Sequence, residues 1–147
     1  MHQSTNLTRN YVNIRIEQVA RRAREAADRV YRREFGIDIL HIRILRIVAE
    51  VPGQSVNWAV NESNLDRTLV SRMITNLVKL KLLERTISPS DARQFLLSTT
   101  PTGNDLVDRA NVLGDALNRD LLSVLDPQEL VTFEACLAKL AEWRPKE

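Results

Sequence analysis

Cysteine occurs once in this chain of 147 residues, at position 136, which excludes an intramolecular disulfide and any metal site built on several thiolates. Only two histidines are present, His2 and His41, and neither stands in a His/Asp/Glu cluster with metal or catalytic spacing. The four glycines are too few and too scattered for a phosphate-cradling loop, so no catalytic constellation is expected, nor any cofactor. No apolar run approaches bilayer length, and MHQSTNLTRN lacks the apolar centre of a secretory leader, so the expected location is the cytoplasm and no membrane contact is expected. Cys136 lies among Phe133, Leu137 and Leu140 at helical spacing and reads as a small buried hydrophobe rather than a reactive thiol.

The charge that is present is unevenly placed. The net value is only +2, yet Arg9 to Glu34 holds eight arginines against four acids, while Pro101 to Trp143 holds three basic residues against eight acidic ones. Contact with phosphate therefore belongs to the first two thirds of the chain.

The stretch Leu65 to Gly103 is the most specific. Val70, Ile74 and Leu77 recur at helical spacing, which turns Arg67, Thr68, Ser71, Arg72, Thr75 and Asn76 outward, where they can bond base edges and phosphates. Asp66 stands at the N-cap position, and Lys79, farther along, suits a phosphate contact. After Lys81, alternation through Leu83, Arg85 and Ile87, then the polar SPSDA, then Phe95 and Leu96, predicts two short strands joined by a charged loop. Arg93 follows that loop directly. A helix and a hairpin arranged in this way form a DNA-reading unit.

These residues resemble the helix-turn-helix and wing of the MarR family of bacterial transcription regulators. Asp66 to Arg72 falls on the family's recognition-helix pattern, with Arg72 at its closing arginine. The wing pattern falls on Asp91, Arg93, the pair Thr99-Thr100 and Gly103. The resemblance implies that Arg93 enters the DNA minor groove and that Asp91 holds it. Four positions depart from the pattern: Ala59-Val60 replace a usual Leu-Ala, Asn64 stands at the turn glycine, and Lys81 at the glycine after the recognition helix. Asn tolerates a left-handed backbone; Lys there is strained. Peroxide-sensing relatives carry a reactive cysteine near the start of the chain, where this sequence has none.

Around this unit the sequence predicts helices. One spans about Tyr11 to Phe35, with apolar Ile14, Ile16, Val19, Ala23, Ala26, Ala27 and Val30, and stops at Gly36. Asp38 caps ILHIRILRIVAEV, whose length without a turn signal favours a buried helix over a strand. Pro52-Gly53 breaks the chain, and Ser55 to Ser63 is a short helix. Thr100-Pro101 opens a long helix with a seam of Leu106, Ala110, Leu113, Leu117 and Leu121; Asp126 to Glu129 forms a capping box before a last helix with Leu130, Phe133, Leu137 and Leu140 inward.

The expected fold is mainly α with a small β-hairpin wing, a winged helix-turn-helix in a single domain over residues 1–147. The DNA-binding lobe is residues 37–100; residues 7–35 and 101–143 are the dimerisation helices, because one subunit offers nothing to cover their apolar faces. The expected function is a homodimeric repressor of a pseudo-palindromic operator on double-stranded DNA, released by a small ligand. The resemblance places an aromatic-acid effector between the dimer helices and the DNA-binding lobe. Arg15, on the first helix, and His41, on the second, are the residues placed to meet its carboxylate, with Trp58 as a wall. The alternative function is a ligand-binding or protein-interaction module that keeps the fold without specific DNA binding.

Overall fold

The first helix stops where the sequence supplies a residue without a Cβ. In the computed structural model, which describes residues 11–146, α1 spans Val12–Phe35, and Gly36 takes a left-handed conformation (φ 72°) that returns its N–H to Arg32 O. Residues 7–10 of the expected dimerisation segment, like His2, lie outside the described residues. Asp38 caps α2 (Ile39–Glu50) by accepting the N–H of His41. Ile42, Ile44, Leu45 and Val48 of this helix are buried, so its isoleucine-rich run belongs to a central helix and not to a strand.

Beyond Pro52-Gly53 come β1 (Gln54–Ser55), α3 (Val56–Ser63), α4 (Arg67–Lys79), β2 (Leu83–Ile87), β3 (Phe95–Thr99), α5 (Pro101–Leu122) and α6 (Pro127–Ala141). The sheet has three strands in the order β1-β3-β2, all antiparallel, where the sequence had indicated a hairpin of two. Leu83 pairs with Thr99 and Ile87 with Phe95 in the hairpin, while Gln54 pairs with Leu97 on the other edge. A two-residue strand has no alternation to read; β1 exists only because Leu97 O accepts the Gly53 N–H at 2.8 Å and draws the chain alongside β3.

The core joins α2 to Ala59 of α3, to Val70, Met73, Ile74 and Leu77 of α4, and to Leu83 and Leu97 of the sheet. Burial of each large aliphatic chain there contributes about 1.5–3 kcal/mol, which holds α4 against α2 and leaves its opposite face in solvent. Leu106, Val107 and Ala110 bring the first half of α5 into the same core.

The rest of the chain is different. Val12, Ile16 and Val19 of α1 and Leu121 of α5 are exposed. The expected inward packing of α6 does not occur within the chain: α6 buries no residue, and Phe133, Leu137 and Leu140 are 44%, 49% and 56% exposed. Cys136, read from the sequence as buried, is exposed on the same helix. The apolar stripe is real, but nothing among the described residues covers it. Among the described residues no helix is long and apolar enough to cross a membrane.

Candidate nucleic-acid interface

The turn into α4 is built by side chains that suit it. Asn64 adopts φ 53°, the left-handed conformation that Asn tolerates, and the buried Ser63 hydroxyl donates to Val60 O and accepts the Leu65 N–H. Asp66 then accepts the Leu69 N–H at 3.0 Å and starts the helix. With Val70, Met73, Ile74 and Leu77 buried, Arg67, Thr68, Ser71, Arg72, Thr75, Asn76 and Lys79 together line a shallow groove of about 650 Å³. Three of these seven are cations and none is an acid. A groove with this lining attracts phosphate and offers hydroxyl, amide and guanidinium groups to base edges.

At the far end of α4 the backbone turns at Lys81, which takes φ 58° despite its side chain. Leu82 N–H reaches Leu77 O at 3.0 Å and the Thr100 hydroxyl donates to Lys81 O at 2.6 Å, so the turn a glycine would make is formed and held. The strain of a non-glycine residue there is about 1–2 kcal/mol.

The hairpin tip is closed by Ser88 N–H donating to Gln94 O at 2.9 Å. Asp91 accepts the backbone N–H of Arg93 at 2.9 Å, and Gln94 N–H donates to Asp91 O. Asp91 therefore positions the main chain beneath Arg93; in the free protein it does not bond the guanidinium as the sequence reading had it. The exposed Arg93 side chain shares with Arg67, Ser55, Asn57 and Phe95 a second cleft of about 240 Å³. Arg67 also donates to Asn57 Oδ1 across the helix-turn-helix. Recognition helix and wing thus form one continuous surface.

Arg85 is a member of this surface that sequence reasoning missed. From β2 it donates to Thr75 Oγ1 at 2.9 Å, and its guanidinium lies 5.8 Å over the Phe95 ring. Thr75 in turn donates to Ser71 O, so its hydroxyl is engaged on both sides in the free protein. The signal that could have found Arg85 is the strand register, which puts it beside α4, and register follows from pairing rather than from residue type.

Within one chain no hydrogen bond or ion pair links the three candidate ligand residues, and no cleft is lined by them together. Arg15 is exposed on the early part of α1, and Trp58 is half-buried on α3. His41 is half-buried, and its Nδ1 lies 2.7 Å from Asp38 Oδ1, an acid partner that the sequence reading overlooked although it is the cap of the same helix. Burial pushes the Asp38 carboxyl up, but the ring and backbone N–H of His41 and the nearby Arg32 outweigh it and hold Asp38 below the usual aspartate value. Asp28, bonded by Arg32 and by the Ile39 N–H, is held low against burial in the same way. These carboxylates stabilise the α1–α2 corner above the ordinary aspartate range, and that contribution fades as pH falls through their lowered values. A cleft of about 610 Å³ lies between α1, α2 and α5, and none of the three candidates lines it. Among the described residues no group of three or more His, Cys, Asp and Glu side chains could hold a metal ion.

This is a winged helix-turn-helix. The model of the MarR family matches residues 35–94. Across 98% of the chain, the structure is similar to BpsR of Bordetella bronchiseptica, described with 6-hydroxynicotinic acid, with 20% identity, 99% of that chain covered and a TM-score of 0.81. A mutant of MarR from E. coli complexed with operator DNA matches 87% of this chain and 91% of its own at 21% identity, TM-score 0.78. The PcaV transcriptional regulator of Streptomyces coelicolor, in complex with its natural ligand, matches 97% and 98% at 21% identity, TM-score 0.74. No curated protein matches the sequence. The match to the MarR family is carried by the winged-helix segment, residues 35–94, and the likeness to these structures extends over the fold as a whole.

Proposed function

We propose that this protein is a homodimeric, sequence-specific regulator of transcription that binds a pseudo-palindromic operator, represses, and is released by a small molecule. The observation that carries this reading is the continuous surface of the α4 groove and the wing, in which seven polar or cationic side chains adjoin Arg93. On it, α4 reads the major groove and Arg93 the minor groove, with Lys79 on phosphate and Asp91 holding the wing. The exposed apolar faces of α1, α5 and α6 support dimerisation through the two chain ends, with residues 37–100 as the reading lobe. We assign the protein no catalytic activity, and a cytoplasmic place of work beside DNA. The rival module without DNA binding was motivated chiefly by Lys81 and the atypical first helix of the motif; the turn at Lys81 and the α3–α4 geometry both form despite those departures.

Arg93→Ala should weaken operator binding by on the order of 1–3 kcal/mol, because a guanidinium in the minor groove gains from the focused negative potential there. Asp91→Ala should cost less, since it acts only on the main chain of the loop. Fluorescence anisotropy on operator DNA measures both, and equal affinity of Arg93→Ala and the parent would remove the wing from the contact.

For the effector we propose an aromatic carboxylate held by Arg15 and His41, with Trp58 as a wall. Asp38 occupies Nδ1 of His41, so Nε2 is the ring nitrogen that meets the ligand. Isothermal calorimetry with benzoate- and cinnamate-like acids is expected to give a dissociation constant tighter than about millimolar, or roughly −4 kcal/mol. Binding by Arg15→Ala equal to that of the parent would refute the assignment.

A further inference from the structure

Arg46 has more partners on other helices than any side chain of the DNA-reading surface. It projects from α2 and donates through Nε to Asn111 Oδ1 at 2.8 Å, and through Nη2 to Ala110 O at 2.9 Å and to Tyr31 Oη at 3.1 Å. Its guanidinium also lies 5.7 Å from the centroid of the Tyr31 ring. One side chain therefore ties α2 to both α1 and α5. On its other side α2 packs against α3, α4 and β3, the elements that present the DNA-reading surface. Arg46 stands where the reading lobe meets the helices whose apolar faces lack a cover among the described residues.

A second observation concerns Gly114, in the interior of α5. A Cβ at that position would lie 2.9 Å from Arg46 Nη2 and 2.9 Å from Tyr31 Oη. No left-handed backbone demands glycine there, and glycine inside a helix costs about 0.5–1 kcal/mol relative to alanine. What the missing methyl provides is the seat of the guanidinium.

We infer that Arg46, seated against Gly114, is a positioning residue for DNA recognition: it sets the angle between the reading lobe and the dimer helices, and so the operator half-site spacing that the dimer accepts. Arg46 touches no base or phosphate in this scheme. The inference rests on the dimeric-regulator reading above. Two recognition helices fixed at one separation select one half-site spacing, whereas lobes that swing accept several.

The test uses the full-length protein and a library of operators whose half-sites differ in separation by single base pairs. Gly114→Ala is the cleaner variant, because alanine favours the helix and displaces only the ends of two side chains; Arg46→Met removes the donors and keeps the stem. Both variants should remain folded by circular dichroism and dimeric by sedimentation, and should keep the base preference of each half-site. The preference for the best spacing over its neighbours should fall by about fivefold or more, the lower end of usual coupling between distant sites. Arg46→Lys, which restores a cation and part of the bonding, should recover some of it. A spacing profile equal to the parent's in either folded variant would overturn the inference. Loss of fold in both would make Arg46 a stability element and overturn it equally. A parent protein with no preferred sequence at all would refute the regulator reading, and this inference with it.

Discussion

Gly103→Ala is expected to destabilise the protein by about 3 kcal/mol or more, at the severe end of what added volume costs in a packed site. A Cβ at this position would lie 2.1 Å from Leu82 O and 3.0 Å from Leu82 C, and both are backbone atoms that no side-chain rotation can clear. Relief requires separating the first turn of α5 from Leu82, the residue just before β2. That separation would break the bond from Thr100 N–H to Leu82 O at 3.1 Å and strain the N-cap, in which Thr100 accepts the Gly103 N–H at 3.0 Å. Denaturant unfolding measures the loss directly. A midpoint within the error of the parent's would mean that the α5–wing junction is looser than described. The glycine of the family's wing pattern thus has a physical reason in this chain: it is where a helix start passes against a carbonyl.

Removal of residues 127–147 is expected to abolish the dimer and lower operator affinity by on the order of 10²–10⁴-fold, because two linked half-site contacts become independent ones. The sequence already assigned the last helix to the dimer, because one subunit offers nothing to cover its apolar face. In the structure α6 buries none of its residues in that subunit, so the deletion leaves the core of Ile42, Leu45, Ile74 and Leu77 intact and acts through the partner. The truncated protein should therefore be monomeric, or aggregated through the uncovered faces of α1 and α5. Sedimentation velocity and anisotropy on the same samples decide the matter, and a truncated dimer with parental affinity would refute the assembly.

Much of this architecture was legible because local signals agreed with packing. Asp38, Asp66, Thr100 and Asp126 each cap the helix they were expected to cap, since a short side-chain acceptor at a helix start is a local event. The α4 periodicity separated its core face from its solvent face for the same reason. What escaped depended on partners distant in sequence. β1 needs Leu97, and Arg85 acquires its place only through the register of β2 and the proximity of Thr75. Arg46 bonds residues more than sixty positions away on α5. His41 is a different kind of miss: its acid lies three residues upstream, and was read only as a cap. The orientation of α6 could not be read from one chain, because an amphipathic stripe specifies that a face is to be covered, not by which molecule.

The central claim is that the α4 groove and the wing read DNA sequence. It is tested most directly by selecting fragments from a random DNA library with the purified full-length protein and sequencing the bound pool at physiological salt. The predicted result is an enriched inverted repeat with half-sites about one helical turn apart, roughly 10–10.5 base pairs, and enrichment that falls for Arg72→Ala and Arg93→Ala. Uniform recovery of fragments without a shared motif, with weak binding that vanishes as salt rises, would contradict it.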